Sequence, residues 1–308
     1  MGRAMAAATN REAVGRSRQI QAPIRRSNLV ETVGRYGDLI LSFEQRRGLT
    51  ELSTVHCRSP WHFMPPMALD SGRCAYTMLV NPSGGLVGGD RLSLSASIGP
   101  GGRVLFSTPS ANRIYRTAGS EAVQDVVIRL GPNARVEWLP DVTIPFAGSR
   151  FRQSIDVSLG PGASLLLWDA LACGRVASGE RWAFAEYRNQ IRIGLAGGGE
   201  VLERVALSPR STGVGLVEPW NYVAALFLVA DGVASAVWDD LQRDLDAWID
   251  QTSPDGEWLA AVSELPIPGV VVRLLARTAP SLHRAYERAW SLIRKCLWGS
   301  DCPALRRY

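Results

Sequence analysis

The sequence predicts a mainly β protein: stacked β-hairpins or a β-helix-like coil over residues 36–208, then a small α/β part, 209–308, with two helices. Three observations carry this. Apolar residues alternate with polar ones in short runs, a Gly-Pro turn recurs at near-constant spacing, and helical spacing is confined to the chain beyond Pro209. Residues 1–35 read separately, as a basic N-terminal extension without a core of its own.

The elements follow in order. Leu39-Ile-Leu-Ser-Phe43 opens the body as a strand, and Arg91 to Ile98 places Leu92, Leu94, Ala96 and Ile98 on one face. Three segments then share one pattern: Ile98-Gly-Pro-Gly-Gly-Arg-Val104, Leu130-Gly-Pro-Asn-Ala-Arg-Val136 and Leu159-Gly-Pro-Gly-Ala-Ser-Leu165. Proline presets the first central φ of a β-turn, and Gly or Asn accepts the positive φ that a type II turn requires next. Each unit therefore reads strand, tight turn, strand, with a weaker fourth copy at Gly197-Gly-Gly-Glu-Val201. Units of this period stack so that neighbours complete each other's core.

Beyond Pro209 the pattern changes. Trp220 to Ala230 reads as a buried strand, and Val233, Val237, Trp238, Leu241, Leu245, Trp248 and Ile249 recur at helical spacing. A loop punctuated by Pro and Gly precedes a second strand, Gly269 to Ala276. A last helix starts at Pro280 and turns Leu282, Ala285, Ala289, Ile293 and Leu297 inward. Residues 231–257 hold eight acids and one Arg, whereas 270–308 hold eight basic residues and two acids. With Trp220, Trp238, Trp248 and Trp258 nearby, this charged part is expected to meet a protein partner.

At 308 residues, 46% hydrophobic and 20% charged, the chain is long and apolar enough for a sizeable core. Its net charge of +5 sits in residues 1–35, which hold seven Arg and two acids, and the remaining charges cancel. A basic nucleic-acid groove is thus disfavoured. The longest apolar run, Tyr222 to Ala230, is too short to span a bilayer. Five scattered cysteines without a CxxC pair give no disulfide framework and point to a reducing, cytoplasmic setting.

Motifs for chemistry are sparse. The loop Asn81-Pro-Ser-Gly-Gly-Leu-Val-Gly-Gly-Asp90 contains Gly84, Gly85, Gly88 and Gly89, yet Asp90 stands where a phosphate loop needs Lys. Only His56, His62 and His283 could serve a nucleophile as base, and His56-Cys57 with His62 lacks a fourth metal ligand. Asp90, Glu137, Asp141, Asp169 and Glu180 are carboxylates set in turn-rich or apolar surroundings. Groups of that kind are usually hydrogen-bonded structural residues.

Read together, the motifs are specific. Phe43-Glu-Gln-Arg-Arg-Gly-Leu-Thr50, the Gly-rich loop to Asp90, and Ser107-Thr108 leading to Arg113-Ile-Tyr115-Arg116 come first. Val136-Glu137-Trp-Leu139-Pro140, Thr143-Ile-Pro-Phe146 and Gly174-Arg175-Val-Ala-Ser-Gly179-Glu180 follow in order. This set, from about Leu39 to Leu297, resembles the urease accessory protein UreD (UreH) family. The resemblance implies a non-enzymatic scaffold with a β-helix-like body. It would bind UreF, through it the GTPase UreG, and apo-urease, in an accessory complex of dimeric assembly that delivers nickel in transit. It further implies an internal passage for nickel with Asp90 and Glu180 in its lining. Arg113 stands where the family commonly has Lys, and Asp141 where it has Gln. Two other readings remain: a β-solenoid enzyme using paired carboxylates such as Asp141 and Asp169, and a UreD-like scaffold serving another metalloenzyme.

Overall fold

The computed structural model describes residues 36–116, 119–209, 219–251 and 256–305; the N-terminal extension, 1–35, lies outside them. In chain order the strands are β1 (Tyr36–Arg46), β2 (Leu49–Cys57), β3 (His62–Phe63), β4 (Met67–Leu69), β5 (Cys74–Val80) and β6 (Arg91–Ile98). Then come β7 (Arg103–Ser107), β8 (Asn112–Ile114), β9 (Ala122–Leu130), β10 (Arg135–Leu139), β11 (Thr143–Pro145), β12 (Arg150–Leu159) and β13 (Ser164–Ala172). β14 (Glu186–Leu195), β15 (Glu200–Leu207) and β16 (Tyr222–Ala230) lead to helix α1 (Ser235–Gln251). β17 (Trp258–Glu264), β18 (Gly269–Ala276) and helix α2 (Ala279–Trp298) complete the chain.

Two sheets face each other. One runs β15-β14-β12-β9-β6-β1-β2, and the other β17-β18-β16-β13-β10-β7-β5-β3. The strands on either side of each Gly-Pro turn belong to different sheets, and each pairs in parallel with its counterpart in the next coil: β6 with β9 and β12 with β9 in the first sheet, β7 with β10 and β10 with β13 in the second. The body is therefore a β-helix-like coil and not a stack of hairpins. The hairpin alternative fails because the two strands flanking a turn do not pair with each other, and the turns also bond to the neighbouring turns. The Gly101 amide donates to the Pro132 carbonyl at 2.9 Å, and the Asn133 amide to the Pro161 carbonyl at 2.8 Å.

The turn chemistry explains the repeat. Gly101, Asn133 and Gly162 hold φ of +69°, +55° and +67°, and the amides of Gly102, Ala134 and Ala163 close the turns onto Gly99, Gly131 and Gly160. A Cβ on Gly160 would stand 2.9 Å from the Gly131 backbone, so stacked turns leave no room for a side chain there. The fourth copy at Gly197 departs from this scheme. It closes an antiparallel hairpin between β14 and β15 and ends the coil.

Inward residues form aliphatic ladders across the first sheet, such as Leu39–Leu94–Val126–Ile155–Ile191. β16 continues the second sheet by pairing antiparallel with β13, so the polypeptide beyond residue 208 extends the same sheet. β17, within the segment expected to be a loop, pairs with β18 at its edge. The two helices cover the outer face of this sheet in a second apolar cluster that includes Leu241, Leu245, Leu282, Ala289 and Ile293. α2 begins one residue earlier than expected: Thr278 caps it, its Oγ1 accepting from the Ser281 amide at 3.2 Å. Trp248 and Trp258 stack at 5.1 Å inside this cluster, where they fill the core.

Candidate functional site: a polar seam between the sheets

One rung of the interior is not aliphatic. Leu92 aligns with Gln124, Gln124 with Gln153, and Gln153 with Asn189, each an inward position of β6, β9, β12 or β14. The same strands carry Leu94, Val126, Ile155 and Ile191 two residues on, so β9, β12 and β14 repeat an amide-then-aliphatic pattern. Across the gap, β13 directs Asp169 at these amides. Gln153 Nε2 donates to Asp169 Oδ1 at 3.2 Å and to Asn189 Oδ1 at 3.2 Å, and Asn189 Nδ2 donates to Asp169 Oδ2 at 2.8 Å. At the other end, Asn112 Nδ2 donates to Gln124 Oε1 at 3.4 Å.

Asp169 borders two cavities. The inner one, about 80 Å³, is walled by Thr108, Asn112, Gln124, Asp141, Gln153 and Asp169 among others. The outer one, about 490 Å³, lies between β14, β15, β16 and β18, with Glu203 and Arg273 at its wall in a bidentate ion pair of 2.7 and 2.9 Å. The indole N–H groups of Trp61 and Trp138 at the inner cavity, and the Tyr187 hydroxyl at the outer one, are buried without a hydrogen-bond partner among the described residues. Buried donors of this kind are met by water in a polar cavity of sufficient size. Burial pushes the Asp169 carboxyl up to about 6, opposed by the hydrogen bonds from Gln153 and Asn189.

The family motifs converge at a second place. The Gly-rich loop adds a bridge beside β8: the Leu86 amide donates to the Arg113 carbonyl, and the Tyr115 amide to the Leu86 carbonyl, both at 2.8 Å. Gly85 is buried against the Arg113 backbone, where a Cβ would clash. The Tyr115 hydroxyl donates to the Gly84 carbonyl at 3.3 Å, and its ring meets Phe146 edge-on at 5.2 Å. The Arg175 guanidinium also lies over the Phe146 ring, 4.6 Å from its centroid. Arg116 packs by Gly148, where a Cβ would come within 3.4 Å of its side chain.

Asp90 and Glu180 lie in this motif cluster. The Val87 amide donates to Asp90 Oδ2 at 2.9 Å, and the Gly89 amide ties the same turn to Glu121 at 3.1 Å. Glu180 pairs with Arg175, whose Nε donates at 2.9 Å, and accepts from the Ala147 amide at 3.2 Å. The Arg175 hydrogen bond holds the Glu180 carboxyl below the usual range. Gly174 and Gly179, both at positive φ, turn the chain so that Glu180 reaches back to Arg175. Neither Asp90 nor Glu180 is among the residues lining the two cavities, whereas Gly84, Gly85 and Pro140 do line the inner one.

Glu137 serves a different purpose. It is fully buried on the outer side of β10, where Arg294 Nη1 donates to it at 2.6 Å and Trp290 Nε1 at 2.7 Å. Asp70 accepts from Arg294 at 3.0 Å and from Arg135 at 2.9 Å, closing an ion network between the coil and α2. Leu139 packs in the same cluster. Burial opposes the Arg294 charge, but Glu137 and Asp70 outweigh it and keep the guanidinium above its ordinary value. His56, Cys57 and His62 are exposed on β2 and β3; among the described residues no group of three or more His, Cys, Asp or Glu has metal-binding proximity. No helix among the described residues is long and apolar enough to cross a membrane.

The sequence singles out Asp169 as a carboxylate, but Gln153 and Asn189, which hold it, sit in no catalytic motif. Their signal, shared with Gln124, is an amide two residues before the inward aliphatic in three successive parallel strands.

Comparison with known proteins gives a consistent result. A family model described as UreD urease accessory protein matches residues 35–307. A protein of Deinococcus radiodurans named urease accessory protein UreD is 33% identical over 277 residues, 89% of this chain and 95% of its own length. One of the same name from Picosynechococcus sp. is 37% identical over 281 residues, covering 88% and 93%. Another, from Cupriavidus necator, is 29% identical over 274 residues, covering 87% and 92%.

Proposed function

Because the chain belongs to the UreD family of urease accessory proteins, helpers and not enzymes, we propose that it is a scaffold of urease maturation that passes nickel(II) along its polar seam. In this reading it binds apo-urease together with UreF and, through UreF, UreG. The observation that carries the reading is Asp169, an anionic group held by two amides at the wall shared by two cavities.

The chemistry suits a cargo in transit. Nickel(II) accepts oxygen and imidazole ligands, and amide oxygens with one carboxylate offer replacement for part of its hydration shell without a thiolate cage that would retain it. Gln124, Gln153 and Asn189 each present an oxygen that can turn toward a hydrated ion. The exposed acidic residues of α1, among them Asp239, Asp240, Asp244 and Asp246, suit a basic surface on a protein partner such as UreF.

Asp90 and Glu180 are also proposed for the route, through the family resemblance, although here they brace a turn and an ion pair. The experiment is complementation: a urease operon lacking its own UreD is co-expressed with this chain, and soluble yield, UreF capture and urease nickel are measured together. Wild-type chain is expected to restore nickel-loaded urease. Asp90→Ala with Glu180→Ala is expected to keep yield and capture while nickel loading falls. Loss of all three together would assign both carboxylates to the fold, and failure of the wild-type chain to capture UreF or load urease would contradict the scaffold reading.

A further inference from the structure

We propose that Asp141 and His283 form a two-ligand nickel(II) handover site, with Asp141 on the wall of the inner cavity. The proposal rests on the reading that nickel is the cargo, and it adds a site the family motifs do not supply.

The two side chains come from unrelated elements and meet. His283 Nε2 stands 3.7 Å from Asp141 Oδ1, with the imidazole 39% and the carboxylate 15% exposed. First-row divalent ions hold imidazole nitrogen and carboxylate oxygen at about 2.0–2.2 Å, so two ligands of one ion stand about 3–4 Å apart. The observed spacing needs little movement to close on a metal.

Both ligands are held in place. The Val142 amide donates to Asp141 Oδ1 at 2.7 Å, and the Asp141 amide donates to Thr108 Oγ1 at 2.8 Å. His283 follows the reciprocal Thr278–Ser281 cap and Pro280, which fix the start of α2. The imidazole is partly exposed, while Asp141 is part of the wall of the inner cavity with Thr108, Asn112, Gln124 and Asp169.

This placement distinguishes a handover site from a surface ion pair. An ion held by one imidazole and one carboxylate keeps most of its waters and leaves readily, and its neighbours on the inner side are the oxygen donors of the seam. A storage site would gather three or four protein ligands, which the described residues do not do here.

The test titrates the purified full chain with nickel chloride, following heat and the paramagnetic broadening of the His283 imidazole signals. Broadening of His283 at the first equivalents is expected. His283→Gln and Asp141→Asn should each weaken that binding about ten-fold or more, and the double variant should be little weaker than either, because both ligands serve one ion. In the complementation assay these variants should demand more nickel for the same urease activation while UreF capture is unchanged. Unbroadened His283 signals, or nickel binding indifferent to both substitutions, would overturn the site whatever urease does. Nickel binding by the wild-type chain that the variants lose, together with failure of the wild-type chain to support urease, would uphold the site and remove the accessory reading.

Discussion

At the scale of single residues, Asp169 is an enclosed carboxylate whose titration is displaced by its surroundings. Its carboxyl is pushed from 3.8 to about 6, so the folded protein holds this proton more tightly than the unfolded chain. Below pH 3.8 both states are protonated and the group costs nothing; above about 6 both are ionised and the folded state bears the whole desolvation cost. Stability should therefore fall as pH rises through this window, by at most about 3 kcal/mol. The true figure is smaller to the extent that cavity water reaches a carboxylate which, though enclosed, keeps some surface toward the cavities. Asp169→Asn keeps the shape and removes the charge. Urea midpoints of the two proteins from pH 4 to 8 should show the variant gaining on the wild type as pH rises; a difference independent of pH would contradict an ionising Asp169. His283 and Asp141 are legible only in space, being 142 positions apart in the sequence.

At the scale of elements, a fully buried ion pair joins β10 to α2. Arg294 is fully buried and depends on Glu137 and Asp70 for its charge. Glu137→Ala leaves that guanidinium half-compensated and the Trp290 indole without its acceptor. Breaking a buried pair by removing one partner costs about 3–5 kcal/mol, and the low end is expected because Asp70 still faces Arg294. A denaturation midpoint corresponding to a loss below about 1 kcal/mol, the range of surface pairs, would contradict this role. Glu137 belongs to a motif quoted for the family resemblance, but its work here is to fasten a helix. The elements themselves were largely legible. The three Gly-Pro turns are where they were expected, because Pro, Gly and Asn have few other backbone uses in that order. β17 is not legible in the sequence, because Trp258-Leu-Ala-Ala-Val-Ser-Glu264 alternates weakly and gains its strand state from pairing with β18. The hairpin-or-coil choice was also out of reach, since each turn looks the same from sequence whether its two strands pair with each other or with the next coil.

At the scale of the whole molecule, a parallel coil stacks like residues upon like. One inward position per turn can thus become a continuous row, aliphatic at Leu94, Val126, Ile155 and Ile191, and polar at Gln124, Gln153 and Asn189. The family and the mainly β architecture follow from motif order and turn chemistry. The seam does not, because its polar character lies in one residue from each of several coils and becomes a path only when they stack. The most direct measurement is the nickel content of urease co-expressed with a chain whose seam is made apolar by Gln153→Leu with Asp169→Leu. Replacing both partners of a buried hydrogen bond by apolar groups of similar shape is far less costly than removing one. Asn189 loses its hydrogen bonds to both Gln153 and Asp169 in this variant, so soluble yield and UreF capture are recorded beside nickel. The expected result is a folded chain that still captures UreF and yields nickel-poor urease; full nickel loading by that chain would contradict passage along the seam.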